Sequence, residues 1–249
     1  MATIALLAVV AVVVGFFIGS VGVGGVLLIP ALALLGGMDI HLASATALFS
    51  FIFTGILGTW LFYVRGSIDW RLTLPVCTGS VIFSYIGAMV NSYVAPRPLA
   101  LIIASIIVFA GLYVMLPSRR AEGSYRTGRG ASQQALLACV GAAAGFASGL
   151  SGAGGPVFSV PLMMALGFVP LAAIGASQVL QIVVAVSGTA GNLQFGSIDF
   201  VTAAWVSPVL LLGVALGVRA AHAVSVMVLR RMAAGLCIVV GLFMLVRTL

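Results

Sequence analysis

The chain has 249 residues, of which 11 are basic, 4 are acidic and 63% are hydrophobic. Soluble domains usually carry about 25% charged residues, so a charged share of 6% excludes an ordinary water-soluble surface. The net charge of +7 would suit a nucleic-acid partner, but every basic residue is an arginine near the end of an apolar segment, where the positive-inside rule explains it. We therefore expect no nucleic-acid partner.

Long uncharged segments fill most of the chain. Five of them, 1–38, 42–64, 72–96, 98–118 and 130–198, contain no Asp, Glu, Lys or Arg. A helix needs roughly 20 apolar residues to cross a bilayer, and the N-terminus lacks the basic region of a cleaved secretory signal. We predict an all-α polytopic membrane protein with about eight to ten membrane segments, located in the inner membrane of the cell.

In chain order, the predicted elements form one series that occurs twice. The series is an apolar segment broken by glycines, a helix, a Gly-Ser-Ile-Asp turn and two further segments. The first copy places its four segments at about 4–36, 42–63, 71–94 and 98–117, and the second at about 133–167, 172–194, 201–221 and 228–247. The chain is therefore divided into repeat 1 (1–117), a polar, arginine-rich linker (118–132) and repeat 2 (133–249).

The duplication rests on one constant offset of 130 residues. Gly15–Gly25 matches Gly145–Gly155 in its glycines, and Arg65–Trp70 matches Phe195–Phe200 through the shared Gly-Ser-Ile-Asp. Self-similarity that keeps one offset over about a hundred residues indicates a duplicated structural unit.

The arginines predict how the repeats are oriented. If each glycine-broken segment crosses the membrane once, the repeats are parallel and the arginines divide 7 against 4 between the two faces; if it turns back, the repeats are inverted and the division is 9 against 2. The positive-inside rule favours the more unequal division. We predict inverted repeats with the arginine-rich face and the linker in the cytoplasm, although the sequence leaves open whether the broken segments are re-entrant hairpins or full crossings.

The glycine breaks are the candidate binding site. A helix that starts inside the membrane has unpaired N–H groups and a partial positive charge at its N-terminus, which suits an anion. Interrupted helices at matching positions of inverted repeats indicate a transporter's binding site, and two glutamines on the following helix are costly unless they face protein or a wet cavity. The candidate substrate-binding residues are Ser20, Gly22, Gly24, Gly25, Thr46, Ser151, Gly152, Gly154, Gly155, Ser177, Gln178 and Gln181.

Structural roles explain part of the same pattern. Small residues four apart, such as Gly15 and Gly19, let helices approach closely, and hydroxyls or amides can serve interhelical hydrogen bonds. Asp69 and Asp199 are expected to cap the helices that follow them. The Asp39/His41 pair either titrates or lies in a solvated loop.

No residue set indicates catalysis, a metal site or a cofactor. The two histidines are 181 residues apart, and the three cysteines lie singly in apolar runs, whereas zinc sites need clustered ligands. No charged residue falls clearly in mid-membrane, where proton and cation pathways usually show one. We expect a non-enzymatic protein whose partners are a small anionic substrate and membrane lipid; a coupling proton or ion and the oligomeric state stay open.

These motifs resemble those of the TauE/SafE family of sulfite-exporter and toluenesulfonate-uptake permeases. The family's hallmark is a duplicated motif of glycines, four apolar residues and a proline, followed by A-x-G-T-S on the next helix. In this chain the motif stands at Gly22–Pro30 and Gly152–Pro161, and then at Ala43–Ala47 and Ala173–Ser177. The resemblance implies membrane transport of small sulfur-containing anions such as sulfite or organosulfonates.

The pattern as a whole predicts a secondary transporter. Its two glycine breaks would meet near the mid-plane and hold a sulfonate-like oxyanion with backbone N–H groups, Ser20, Ser151 and the glutamines. Alternating access would be the rocking of one repeat against the other. The alternatives are a passive anion channel, or a transporter of another small anion or sulfur compound such as thiosulfate.

Overall fold

The computed structural model describes residues 2–22, 24–115, 130–224 and 226–248, and the regular structure in these ranges is all helical. The helices are α1 (Ala2–Val21), α2 (Leu28–Leu35), α3 (Ile40–Val64), α4 (Trp70–Tyr93), α5 (Pro96–Met115), α6 (Ala131–Ser151), α7 (Pro156–Ala165), α8 (Pro170–Phe195), α9 (Phe200–Ala223) and α10 (Val226–Thr248). Within the described ranges, six of them (α1, α3, α4, α6, α8 and α9) are long and apolar enough to cross a membrane. The predicted polytopic all-α class is confirmed, while most of the linker lies outside the described residues.

Aspartates begin three of the long helices. Asp69 precedes α4 and Asp199 precedes α9; each carboxylate accepts a backbone N–H from the first turn, at 2.9 and 3.0 Å. Thr202 donates to Asp199 from its N–H and its hydroxyl, and these bonds lower the pKa of the Asp199 carboxyl below its usual value. The capping predicted for both residues is confirmed, and Asp39 caps α3 in the same way.

The first glycine-broken segment turns back on itself. After α1, a 3₁₀ turn covers Gly24–Leu27 and leads into α2. A Cβ on Gly24 would lie 2.3 Å from the carbonyl oxygen of Val14. Farther from the turn, Leu34 lines an apolar crevice with Val9 and Val13. The chain therefore runs back along α1, and residues 2–35 form a hairpin, which we call hairpin 1.

Glycines bring two pairs of long helices into backbone contact. On α1, a Cβ at Gly15 would lie 2.2 Å from the carbonyl oxygen of Leu210 on α9, and one at Gly19 would lie 2.4 Å from that of Val214. Residue numbers increase in the same direction along α1 and α9 at these contacts, so the two helices are parallel. The copies of these helices, α6 and α4, pack in the same way.

The α4/α6 contact should tolerate no added side chain. A Cβ at Gly141 would lie 1.9 Å from the carbonyl oxygen of Val76, and one at Gly149 would lie 2.1 Å from that of Ser84. Overpacking typically costs about 1–3 kcal/mol, so Gly141→Ala should lower the unfolding temperature measured in detergent. Gly235 on α10 is the matched control, because a Cβ there meets nothing within 4 Å and alanine should stabilise the helix by about 0.5–1 kcal/mol. An equal response of both variants would contradict this packing.

Helices α3 and α8 cross in opposite directions. A Cβ at Gly175, near the start of α8, would lie 2.5 Å from the carbonyl oxygen of Ser67, which follows α3. A Cβ at Gly188, near the end of α8, would lie 2.5 Å from Cδ2 of Leu48, near the start of α3. Helices α3 and α8, which occupy equivalent positions of the two predicted repeats, are therefore antiparallel, as inverted repeats require.

The second glycine-broken segment is also a hairpin. On α7, Ser159 bonds Ser177 of α8 between hydroxyl oxygens 2.7 Å apart, and a Cβ at Gly155 would contact Leu180. Residue numbers increase along α7 in the direction in which they decrease along α8, so α7 and α8 are antiparallel. Since α6 and α8 both run parallel to α4, α7 must return along α6. We call residues 131–165 hairpin 2.

The helices form two bundles, and each bundle mixes the repeats. The first bundle contains α1, α2, α3 and α9, and the second contains α4, α6, α7 and α8, while α3 packs at least as extensively on α8 of the second bundle as on α9 of its own. In the second bundle the hydroxyl of Ser84 on α4 donates to the carbonyl of Val184 on α8, at 2.8 Å. Helices α5 and α10 pack against each other. The long arm of each hairpin is thus held by the other repeat, an exchange that the sequence does not predict.

Candidate functional site

The two hairpins meet at their tips, which are the glycine motifs where each hairpin turns back. A Cβ on Gly22 would lie 3.0 Å from Cβ of Pro156, and one on Gly25 would lie 2.6 Å from the carbonyl oxygen of Ala153. All four of these residues are buried. The structure therefore brings the two glycine motifs together, as the predicted site requires.

Phe51 lies at this meeting point. Its ring is fully buried, and it is the nearest neighbour of a Cβ placed at Gly154, at 3.2 Å, and lies 3.1 Å from one placed at Gly25. Phe51 is the twelfth of the 25 residues of α3, so the tips meet at half the height of that helix. The sequence did not predict a role for Phe51. The one signal in the sequence is that Phe51 is the copy of Gln181 in repeat 1, at the offset of 130 residues.

Three of the predicted glycines have backbones that other residues rarely adopt. Gly22, Gly152 and Gly154 have φ angles of +80°, +73° and +81°, in the region where a Cβ is strained. Gly152 ends α6, and a Cβ there would also lie 2.6 Å from Ser44. These glycines are required by the sharp tip geometry itself.

Gln178 reaches hairpin 1 from α8. Its Nε2 donates to the carbonyl oxygen of Ile18 in the last turn of α1, at 3.0 Å. Its Oε1 is buried and has no partner among the described residues, and it faces Gly58, where a Cβ would lie 2.3 Å away. A buried acceptor without a partner costs about 1–3 kcal/mol, which makes Gln178 the most unusual polar group of the candidate set.

Gln181 joins α8 to α3. Its Nε2 donates to the hydroxyl of Thr54 at 2.7 Å and to the carbonyl oxygen of Phe51 at 3.4 Å. The two glutamines share a helix face, as their spacing of three predicts, and both cross the interface between the two bundles.

The predicted hydroxyls fall into two groups. At the tips, Ser20 is buried with an unpartnered hydroxyl among the described residues, and Ser151 donates to Ala147 and accepts from the N–H of Ala153. Away from the tips, Ser177 bonds Ser159 of α7. Thr46 accepts the N–H of Asp199 at 3.0 Å and so anchors the second Gly-Ser-Ile-Asp turn.

Most of the polar side chains around the meeting point of the two tips belong to repeat 2. Ser148, with another buried and unpartnered hydroxyl, was not predicted, and its copy is Ile18. The copies of Gln178 and Gln181 are Leu48 and Phe51. The meeting point is therefore a neutral surface of amide and hydroxyl donors beside hairpin 2, opposite an apolar surface from repeat 1.

Comparisons with known proteins agree with this architecture. A family model described as "Sulfite exporter TauE/SafE" matches residues 7–244. The "Probable membrane transporter protein YdhB" of Bacillus subtilis (strain 168) is 27% identical over 193 residues, which are 75% of this chain and 78% of that protein. The "Probable membrane transporter protein YunE" of the same organism is 27% identical over 103 residues, 41% of this chain and 38% of that protein. No solved structure matches significantly.

Proposed function

We infer a transport function from one premise: this chain belongs to the sulfite exporter TauE/SafE family, as its motifs predicted, and is a multi-pass membrane protein. We propose that it is a secondary transporter of small sulfur-containing oxyanions, sulfite or organosulfonates, in the inner membrane of the cell. Similarity to a described membrane transporter over 75% of the chain supports a transport role rather than catalysis.

The meeting of the two hairpin tips is the observation that carries this proposal. Two interrupted helices from opposite directions converge at half height, where Gln178, Gln181 and Ser151 supply buried polar groups. Helix N-termini contribute about 0.3–1 kcal/mol each toward an anion, and up to about 2 when partly buried. Such a neutral site binds weakly enough to release its substrate. Because Phe51 packs against both tips, we propose that the anion binds beside hairpin 2 once the tips separate.

The moving bodies in this proposal are the two bundles. Rocking of whole repeats would have to part α1 from α9 and α6 from α4, and each of these pairs has at least four glycines against facing backbone, compared with two, Gly55 and Gly175, at the α3/α8 crossing. The bundles meet at the α3/α8 crossing, where Gln178 and Gln181 make bonds that can be exchanged with a substrate. Alternating access therefore needs the α3/α8 crossing to shift while each bundle stays intact.

The distribution of arginines supports a cytoplasmic assignment for one face. Arg65 and Arg71 flank the turn after α3, and Ser67 in that turn bonds His222 near the end of α9, so Arg219 lies at the same end of the molecule. Arg97 begins α5 at the opposite end, where it lines a cavity with Asp39. The positive-inside rule places the arginine-rich end in the cytoplasm.

Transport by purified protein is the direct test. Proteoliposomes should take up labelled sulfite, thiosulfate or sulfoacetate, each measured with and without a pH gradient, and sulfate serves as the fully oxidised comparison. Uphill accumulation would support a secondary transporter. Currents that follow the membrane potential without accumulation would instead support a passive channel, and no flux of any of these anions would overturn the proposed function.

Replacing the two tip serines, Ser20 and Ser151, should reduce transport, but the two replacements should affect the stability of the protein differently. Ser20→Ala removes a hydroxyl that has no partner in the part of the chain that the structure describes, so folding should be unaffected, whereas Ser151→Ala removes bonds worth about 0.5–1.5 kcal/mol each from the turn of hairpin 2. Together they should reduce initial uptake severalfold, measured against Ser92→Ala, whose hydroxyl donates to the carbonyl oxygen of Met89 on its own helix. Unchanged uptake in the double variant would remove both serines from the site.

A further inference from the structure

Three polar side chains form a cluster at the arginine-poor end of the molecule. Nδ1 of His41, in the first turn of α3, lies 3.1 Å from Oδ1 of Asn91 near the end of α4. Nδ2 of Asn91 lies 3.4 Å from the hydroxyl of Ser44. His41 is half-buried, while Asn91 and Ser44 are 4% and 2% exposed. The cluster therefore extends inward from the surface of the protein.

The inner end of the cluster touches hairpin 2. Nδ2 of Asn91 donates to the carbonyl oxygen of Leu150 in the last turn of α6, at 2.6 Å. Ser44 lies against Gly152, where a Cβ would be 2.6 Å away. His41, Ser44 and Asn91 thus connect the surface to the tip of hairpin 2, beside which most of the polar side chains lie.

The fold itself does not require these polar residues. The inverted repeats provide the same three positions at the cytoplasmic end, and there the residues are Leu171, Ile174 and Ala221. Buried amides and hydroxyls within a membrane protein are costly and usually mark a pathway or a site. Only the arginine-poor end therefore has a polar connection to the tips at these equivalent positions.

We propose that His41, Ser44 and Asn91 line the route by which a small anion passes between the outer face and the tip of hairpin 2. This inference rests on the proposed function. The amide of Asn91, the hydroxyl of Ser44 and the imidazole N–H can all donate to an oxyanion once the bonds within the cluster open. At the same end, a cavity of about 390 Å³ is lined by Arg97 together with Asp39, so its two charged side chains offset each other.

Thiol accessibility tests this route. In a background with the three native cysteines replaced by alanine, Ser44→Cys is compared with Ile174→Cys, its copy at the opposite end. A membrane-impermeant maleimide is applied to right-side-out and inside-out vesicles. Ser44→Cys, labelled from the outer face of right-side-out vesicles, should react at least about tenfold faster than Ile174→Cys labelled from the cytoplasmic face of inside-out vesicles, as expected if an opening that only the former lines is populated. His41→Cys and Leu171→Cys provide a second pair should the first perturb folding.

The substrate arm links the route to transport. Sulfoacetate, which unlike sulfite does not react with maleimide, should slow the labelling of Ser44→Cys in a protein that transports it. Equal labelling of position 44 from the outer face and of position 174 from the cytoplasmic face, or no labelling of either His41→Cys or Ser44→Cys from the outer face, would overturn the route. Asymmetric labelling in a protein that transports none of the anions would keep the opening but defeat the proposed function, so the two failures are distinguishable.

Discussion

Transport is expected to stop when a disulfide joins α3 to α8, and to continue when one joins α4 to α8. The first disulfide links the two bundles and the second lies within one bundle. Both connect residues of different repeats, so rocking of whole repeats predicts that both disulfides block transport. Motion of the bundles predicts that only the first one does.

The structure offers a suitable pair of positions for each disulfide. A Cβ at Gly55 would lie 2.9 Å from Cγ1 of Ile182, the position that a cysteine sulfur would take, so Gly55→Cys with Ile182→Cys links the bundles. A Cβ at Gly188 would lie 3.1 Å from Oγ of Ser84, so Gly188→Cys with Ser84→Cys links α8 to α4. Both distances join a Cβ to the γ atom that the partner's sulfur would replace, and an S–S bond of about 2.05 Å places a Cβ about 3 Å from the partner sulfur.

Each double-cysteine variant serves as its own control. Uptake into proteoliposomes is measured under oxidation and again after reduction, in the cysteine-free background, so that any cost of the substitutions themselves appears in the reduced state. Oxidation of the 55/182 pair should lower uptake to the level of empty liposomes, and reduction should restore it. Full inhibition by the 84/188 disulfide would contradict motion of the bundles and return the mechanism to whole repeats.

Much of the fold could be predicted because duplication and charge are visible in a single sequence. The constant offset separated the repeats, and the division of the arginines, 9 against 2 between the two faces, predicted their opposite directions. The exchange of α1 and α6 between bundles could not be predicted. Glycines four residues apart indicate a close helix–helix contact, but their spacing does not identify the helix whose backbone faces them.

The meeting of the two glycine motifs was predictable from the sequence, and the residues that surround it were less so. The glycines follow from backbone constraints, and Gln178 stands out because an amide in an apolar helix is costly. Thr46 and Ser177 have the same composition signal, yet the structure places them against a turn and against α7. Phe51 was invisible because a phenylalanine in a membrane helix is ordinary. Its role depends on the two hairpins meeting at its height, which is a tertiary property.

Replacing Gln178 by leucine is expected to lower transport at least about tenfold without destabilising the protein. Loss of one or two hydrogen bonds to a substrate, at about 0.5–1.5 kcal/mol each, is enough for that factor. The substitution also removes the buried Oε1 that has no partner among the described residues. The carbonyl of Ile18 keeps the N–H of Gly22 at 3.2 Å, and repeat 1 already carries a leucine at the equivalent position, Leu48.

Separate measurements of stability and transport distinguish a binding role for Gln178 from a structural one. Unfolding temperature in detergent and initial uptake in proteoliposomes are compared for Gln178→Leu and for Gln194→Leu, which makes the same chemical change near the end of α8, at an exposed position whose Oε1 accepts a hydrogen bond from Tyr85 of α4. Lost uptake with an unchanged or raised unfolding temperature means that the amide is retained for the substrate. A parallel fall of both quantities means that Gln178 chiefly holds α1 in place through Ile18, and unchanged uptake removes it from the site. Because an unpartnered acceptor opposes folding, the first outcome is the one that explains why the chain keeps a glutamine where its own copy has a leucine.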